Sequence, residues 1–106
     1  MYIVVFVTVS SIKEARKISA ALIKQKLAAC VNIINGVNSV FWWQGKVDSS
    51  KELLLIVKTR KALFKKVEKV VKTLHSYKVP EIIALPIFCG SRQYLRWIND
   101  SVRKSG

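Results

Sequence analysis

One histidine, two cysteines and a carboxylate just past a helix are the residues here with chemistry beyond packing. His75 is the single histidine, and Glu81 follows it across the Tyr77–Pro80 bend. An imidazole beside a carboxylate suits a borderline divalent ion such as Cu²⁺ or Zn²⁺. One chain offers fewer than the ~4 ligands of a closed site, so such an ion would draw on more than one subunit. The same residues have a purely structural reading. A histidine at a helix C-terminus interacts with the last carbonyls and the dipole, and Glu81 would then pair with a lysine. Cys30 and Cys89 lie in apolar segments. They read either as soft ligands for Cu(I) or as buried free thiols of a reducing, cytoplasmic compartment. The short metal spacings CxxC and HxxxH are absent. So are a Ser-His-Asp or Cys-His arrangement and a glycine-rich phosphate loop. No catalytic constellation forms, and the chain is read as a non-enzyme that requires no cofactor.

Strands and helices must position these groups. Tyr2–Val9 is dense in β-branched and aromatic residues and reads as a first strand. Ser11 and Glu14 have capping-box spacing, and a helix follows to about Lys26 with Ile12, Ala15, Ser19, Leu22 and Ile23 as its apolar stripe. Leu27–Ile34 reads as strand two. Asn35-Gly36 allows a bulge, and the strand resumes to Trp43. Gln44-Gly45 is the turn. Asp48–Ser50 reads as a local break before strand three continues to Thr59, which is placed to cap a second helix. That helix buries Leu63, Val67, Val70, Val71 and Leu74 and ends near His75. Glu81–Phe88 is strand four, with Pro86 marking an edge or bulge. Ser91 to Lys104 is a third helix burying Tyr94, Leu95, Ile98 and Val102.

The length of 106 residues fits one domain, 1–106. The order β-α-β-β-α-β plus a terminal helix is the ferredoxin-like α+β order. Its antiparallel four-stranded sheet has strand order 4-1-3-2, with a long hairpin joining strands two and three. Both crossover helices then cover one face. The other face should be polar if it is wet, yet Ile3–Val7, Leu53–Val57 and Ile82–Leu85 are apolar on both sides. A patch that large needs a cover, and a second copy of the same sheet is the simplest one. In that order Cys30 and Cys89 sit on opposite edges, three ~4.8 Å spacings apart, beyond disulfide reach.

Five segments now read together: Ala28-Ala29-Cys30-Val31-Asn32, Phe41–Lys46, Glu52 to Lys58-Thr59, His75–Ile82 and Tyr94-Leu95-Arg96-Trp97. In this order and spacing the chain resembles the CutA family of divalent-cation tolerance proteins over nearly its whole length. The resemblance implies a ferredoxin-like subunit in a homotrimer assembled through its sheets, similar in architecture to PII-like nitrogen-regulatory proteins. It implies a role in divalent metal-ion, above all copper, tolerance with weak Cu(II) binding. His75, Glu81 and Cys30 are then the candidate ligands. It also implies that Lys58, Tyr77, Glu81, Tyr94 and Trp97 gather near a subunit-interface cleft, with Trp43 an interface anchor at the hairpin end. These residues would either glue subunits together or take a small effector, as a PII-like sensor would. Two positions depart from the family pattern. Ser76 stands where His-Pro-Tyr is common, and Gln44 stands where Trp-Glu-Gly-Lys is common.

Charge is the feature the resemblance leaves over. Lys and Arg total 19 against 6 acids, a net +13. Basic residues crowd helices one and two and read as a solvated face that keeps an apolar assembly soluble. They would also attract nucleic acid without specificity. No helix-turn-helix or RRM signature is present, so specific nucleic-acid recognition is not expected. The apolar runs fall short of the ~20 residues of a membrane span. The N-terminus shows neither a basic leader nor a small-residue cleavage site, which reads as no signal peptide.

Overall fold

A computed structural model describes residues 1–104. The last two residues of the single-domain reading lie outside the described residues. The order is β1 (Tyr2–Val9), α1 (Ile12–Lys24), β2 (Cys30–Trp43), β3 (Lys46–Arg60), a 3-10 turn (Lys61–Leu63), α2 (Phe64–Leu74), β4 (Ile82–Pro86) and α3 (Arg92–Ser101). The sheet order is β2-β3-β1-β4 with every pairing antiparallel. This is the expected 4-1-3-2 arrangement.

Alternation along the central strands separates the two faces. Val5, Val7, Leu55 and Val57 are fully buried beneath Ala15, Ile18 and Leu22 of α1 and Val67 and Val71 of α2. The residues between them, Val4, Phe6, Leu54 and Ile56, point the other way and stay half-buried. Lys58 belongs to this second face, and its Nζ lies 5.8 Å from the Tyr94 ring centroid. The α3 helix therefore packs on the face opposite α1 and α2. It covers only part of that face, because Ile34, Ile83 and Leu85 remain 42%, 51% and 42% exposed.

Beyond β1 the hairpin continues as a two-stranded arm, with Val37–Trp43 paired only to Lys46–Glu52. The molecule is correspondingly long, 44 × 26 × 22 Å. A two-residue turn closes the arm with Gln44 and Gly45 both at positive φ, 51° and 78°, as a type I′ turn requires. The bulge falls between Ile34 and Val37, with Gly36 at φ 75°.

Several sequence expectations change in detail. Asp48–Ser50 is unbroken strand, because Asp48 and Ser49 stay in register with Phe41 and Val40. The α1 stripe is Ala15, Ile18 and Leu22, whereas Ile12 and Ile23 are exposed. The helix stops at Lys24 in a Schellman arrangement. Lys26 N–H donates to Ile23 C=O and Leu27 N–H to Leu22 C=O. Lys26 takes the left-handed φ of 56° usual for glycine. Thr59 does not cap α2. Fully buried in β3, it donates its hydroxyl to Leu27 C=O at 2.6 Å. Strand β4 is shorter than expected, so Cys89 falls in the loop after it and is exposed rather than core. Tyr94 is exposed as well, while Ile98 and Val102 are buried.

Candidate functional site

Strand β3 threads the candidate residues like a ruler. Lys46 pairs with Trp43 at the arm tip, Glu52 with Val37 at the bulge, and Lys58 with Cys30 at the far end. Consecutive stations are six residues, ~20 Å, apart. The chain thus holds the candidates as separate groups.

The first group surrounds Glu52, which is 8% exposed. Tyr77 Oη donates to Glu52 Oε2 at 2.8 Å. Burial, then this bond, pushes the Tyr77 hydroxyl up to about 12. Glu81 stands one residue before Ile82, which pairs with Val7. Its carboxyl titrates above the ordinary range, first through partial burial and then through the Glu52 charge. A carboxyl raised in this way beside a second acid would be relieved by a cation.

His75 belongs to the same end but is turned inward. It caps α2 by donating its backbone N–H to Val71 C=O. The imidazole, with no exposed side-chain surface, meets Thr8 C=O through Nε2 at 2.7 Å. Tyr77 N–H donates to Nδ1 at 3.0 Å. These contacts assign a neutral ring with its proton on Nε2. Both nitrogens are engaged, so ligation by His75 would require it to release one partner. The ring reaches β1 rather than the carbonyls at its own helix end, unlike the structural reading of the sequence. The Glu14 carboxylate is also drawn in. Its Oε1 accepts from Ser76 N–H at 3.1 Å, and its Oε2 lies 3.6 Å from His75 Nδ1. Hence the capping box is only half built: Ser11 Oγ accepts from Glu14 N–H, while the Glu14 side chain accepts from Ser76 N–H instead.

The second group lies at the Lys58 end. Tyr94 and Trp97 stack on α3 at 5.4 Å between centroids, with Lys58 over the Tyr94 ring. Ser91 positions them by capping α3, accepting from Tyr94 N–H. Half-buried Cys30 is directly across from Lys58. Cys30 begins one edge strand, and Glu81 immediately precedes the opposite edge strand, β4. Among the described residues, no three His, Cys, Asp or Glu side chains converge in a group able to hold a metal ion. Trp43 sits at the arm tip with neither group.

Glu52 is the site residue that sequence reasoning passes over. Its signal is present: a lone acid heading the apolar run Leu53–Val57.

Comparison with known proteins places these groups in a family context. Residues 3–101 match the family model described as CutA1 divalent ion tolerance protein. The chain is 51% identical over 98 residues to the divalent-cation tolerance protein CutA of Thermus thermophilus, covering 92% of this chain and 95% of that one. It is 48% identical over 103 residues to the chloroplastic protein CutA 1 of Oryza sativa. That match covers 97% of this chain but only 58% of the rice protein, so the chain spans under three fifths of that relative. The solved structure of the divalent cation tolerance protein Cut A1 from Thermus thermophilus superposes with a TM-score of 0.95 at 50% identity. It covers 97% of this chain and 100% of its own.

Proposed function

The chain belongs to the CutA1 divalent ion tolerance family, and from that premise we propose that it acts as a non-enzymatic homotrimer in divalent metal-ion tolerance, in the cytoplasm. The observation that carries this reading is the separation of the cleft residues. Glu52, which holds Tyr77, lies ~20 Å along β3 from Lys58, whose ammonium lies over Tyr94 beside Trp97. A cleft holding both groups therefore needs two subunits. The exposed apolar face and the arm supply the surface that would bury them, since an isolated two-stranded hairpin is marginal in water. The two free cysteines suit a reducing compartment. No helix among the described residues is long and apolar enough to cross a membrane.

Divalent-ion binding, Cu(II) in class, is then weak and shared between subunits. Glu81, charged against Glu52, and half-buried Cys30 are the donors that can turn outward. His75 joins only by giving up Thr8 or Tyr77. A second reading rests on Lys58: a cation over an aromatic ring beside Trp97 suits a small anionic effector, as in a PII-like sensor. Cu²⁺ titration separates the two. The metal reading expects saturable binding that weakens in Glu81→Gln and Cys30→Ser, with a smaller change in His75→Ala. Binding unchanged in all three variants would remove the ligand assignment.

A further inference from the structure

The helix-bearing face carries charge that neither the fold nor the proposed assembly uses. Helix α2 presents Lys65, Lys66, Lys69 and Lys72, and α1, in the same layer, carries exposed Arg16 and Lys17. The acids that would offset them are spent. Glu14 is turned in toward Ser76 and His75. Glu68 is shared between Lys65 at 4.0 Å and Lys72 at 3.3 Å. The remaining acids, Asp48, Glu52, Glu81 and Asp100, sit on the arm, the opposite sheet face and α3.

Topography concentrates this field. A groove of ≈ 480 Å³ runs between α1, α2 and the chain after α3, with Leu27, Val70 and Leu74 along its floor. Lys66, Lys69 and Arg103 rim it. Arg103 is tied down by its N–H donating to Lys26 C=O at 2.8 Å. Lys69 also borders a second hollow with Lys65 and Lys72, so the cations form one track over α2.

We propose that this face binds duplex nucleic acid along its phosphate backbone, without regard to sequence. A track of cations longer than a small ligand is complementary to a polyanion. Single strands are disfavoured because they are held by base stacking on aromatics. The large exposed aromatics, Phe41, Trp42, Trp43, Phe88, Tyr94 and Trp97, all lie on the arm, in the loop after β4 or on α3. Base readout is not built in either, since α1 and α2 lie flat on the sheet with no element projecting into a groove. A membrane surface fits less well, because it calls for an apolar stripe beside the lysines. The large apolar residues that α1 exposes are Ile12 and Ile23, at its two ends. The track faces away from the proposed self-association surface and is available to one chain or to three.

The test is fluorescence anisotropy of a labelled 20-base-pair duplex in rising salt. Log affinity should fall linearly with log salt. Lys66→Gln/Lys69→Gln should lower that slope by ~2 and weaken binding roughly tenfold at low salt, each lost phosphate contact being worth ~0.9 in slope. Lys46→Gln/Lys78→Gln removes the same charge elsewhere and should leave the slope in place. Four results would overturn the assignment: no binding at low salt, an equal loss in the control variant, tighter binding to a single strand of equal length, or binding to phosphatidylserine vesicles without binding to the duplex.

Discussion

The two faces of the sheet have nearly the same strand composition and opposite fates. Under α1 and α2, Val5, Val7, Leu55 and Val57 reach zero exposure. On the other face, Ile83 and Leu85 stay about half exposed although they are as apolar as their neighbours. The first face stabilises the subunit. The second, with an arm whose Val40 and Trp42 are 73% and 75% exposed, contributes little until something covers it. Folding and the proposed association therefore draw on different residues of the same strands, and substitutions can separate them.

The largest contrast is between Leu55→Ala and Leu85→Ala. Leu55→Ala opens a cavity in the closed core and should cost ~3 kcal/mol in urea unfolding while leaving subunit stoichiometry intact. Leu85→Ala should leave the fold in place, as read by far-UV circular dichroism, and weaken association. If Leu85→Ala cost the isolated subunit as much as Leu55→Ala, the division between the faces would fail. A smaller effect tests the seam where the chain passes from α1 into β2. Thr59→Val leaves the Leu27 carbonyl without its donor and should cost ~1–2 kcal/mol by the same unfolding measurement. No change would mean that the buried hydroxyl is not what holds that passage.

The smallest effects are in pH dependence at the Glu52 end. A carboxyl whose folded pKa is raised binds its proton more tightly in the folded state. Stability is then lost as pH rises from ~4 through the raised value of Glu81. Glu81→Gln should remove that loss, so its melting temperature should gain on the parent across this window and level off above it. Tyr77 has the same sign at higher pH, with stability lost between its ordinary 10.0 and about 12. Tyr77→Phe should flatten the alkaline limb. An unchanged profile in both variants would mean that the group is not coupled as its geometry indicates.

Much of the fold is legible in the sequence because apolar periodicity is a strong signal. Continuous apolar runs such as Leu53–Val57 mark strands, and Asn35-Gly36 marks the bulge. What escapes is set by tertiary partners. Ile18 and Ile23 both lie within α1, and only packing against the sheet decides that Ile18 goes inside. Thr59 has an ideal cap residue's chemistry, yet the Leu27 carbonyl claims it. The end of α1 carries no glycine, because Lys26 takes the left-handed position itself. At the candidate site, the types and rough neighbourhood of His75, Tyr77 and Glu81 were legible. The orientation of the imidazole toward Thr8 was not, nor was the place of Glu52, because both depend on contacts between residues distant in sequence.

Analytical ultracentrifugation of the untagged chain across a wide concentration range tests the role of the uncovered surface most directly. The account predicts one stable species of three times the chain mass, lost when Ile83 and Leu85 are both replaced by lysine. A single-chain species at every concentration, with the exposed strand face stable in water by itself, would contradict it.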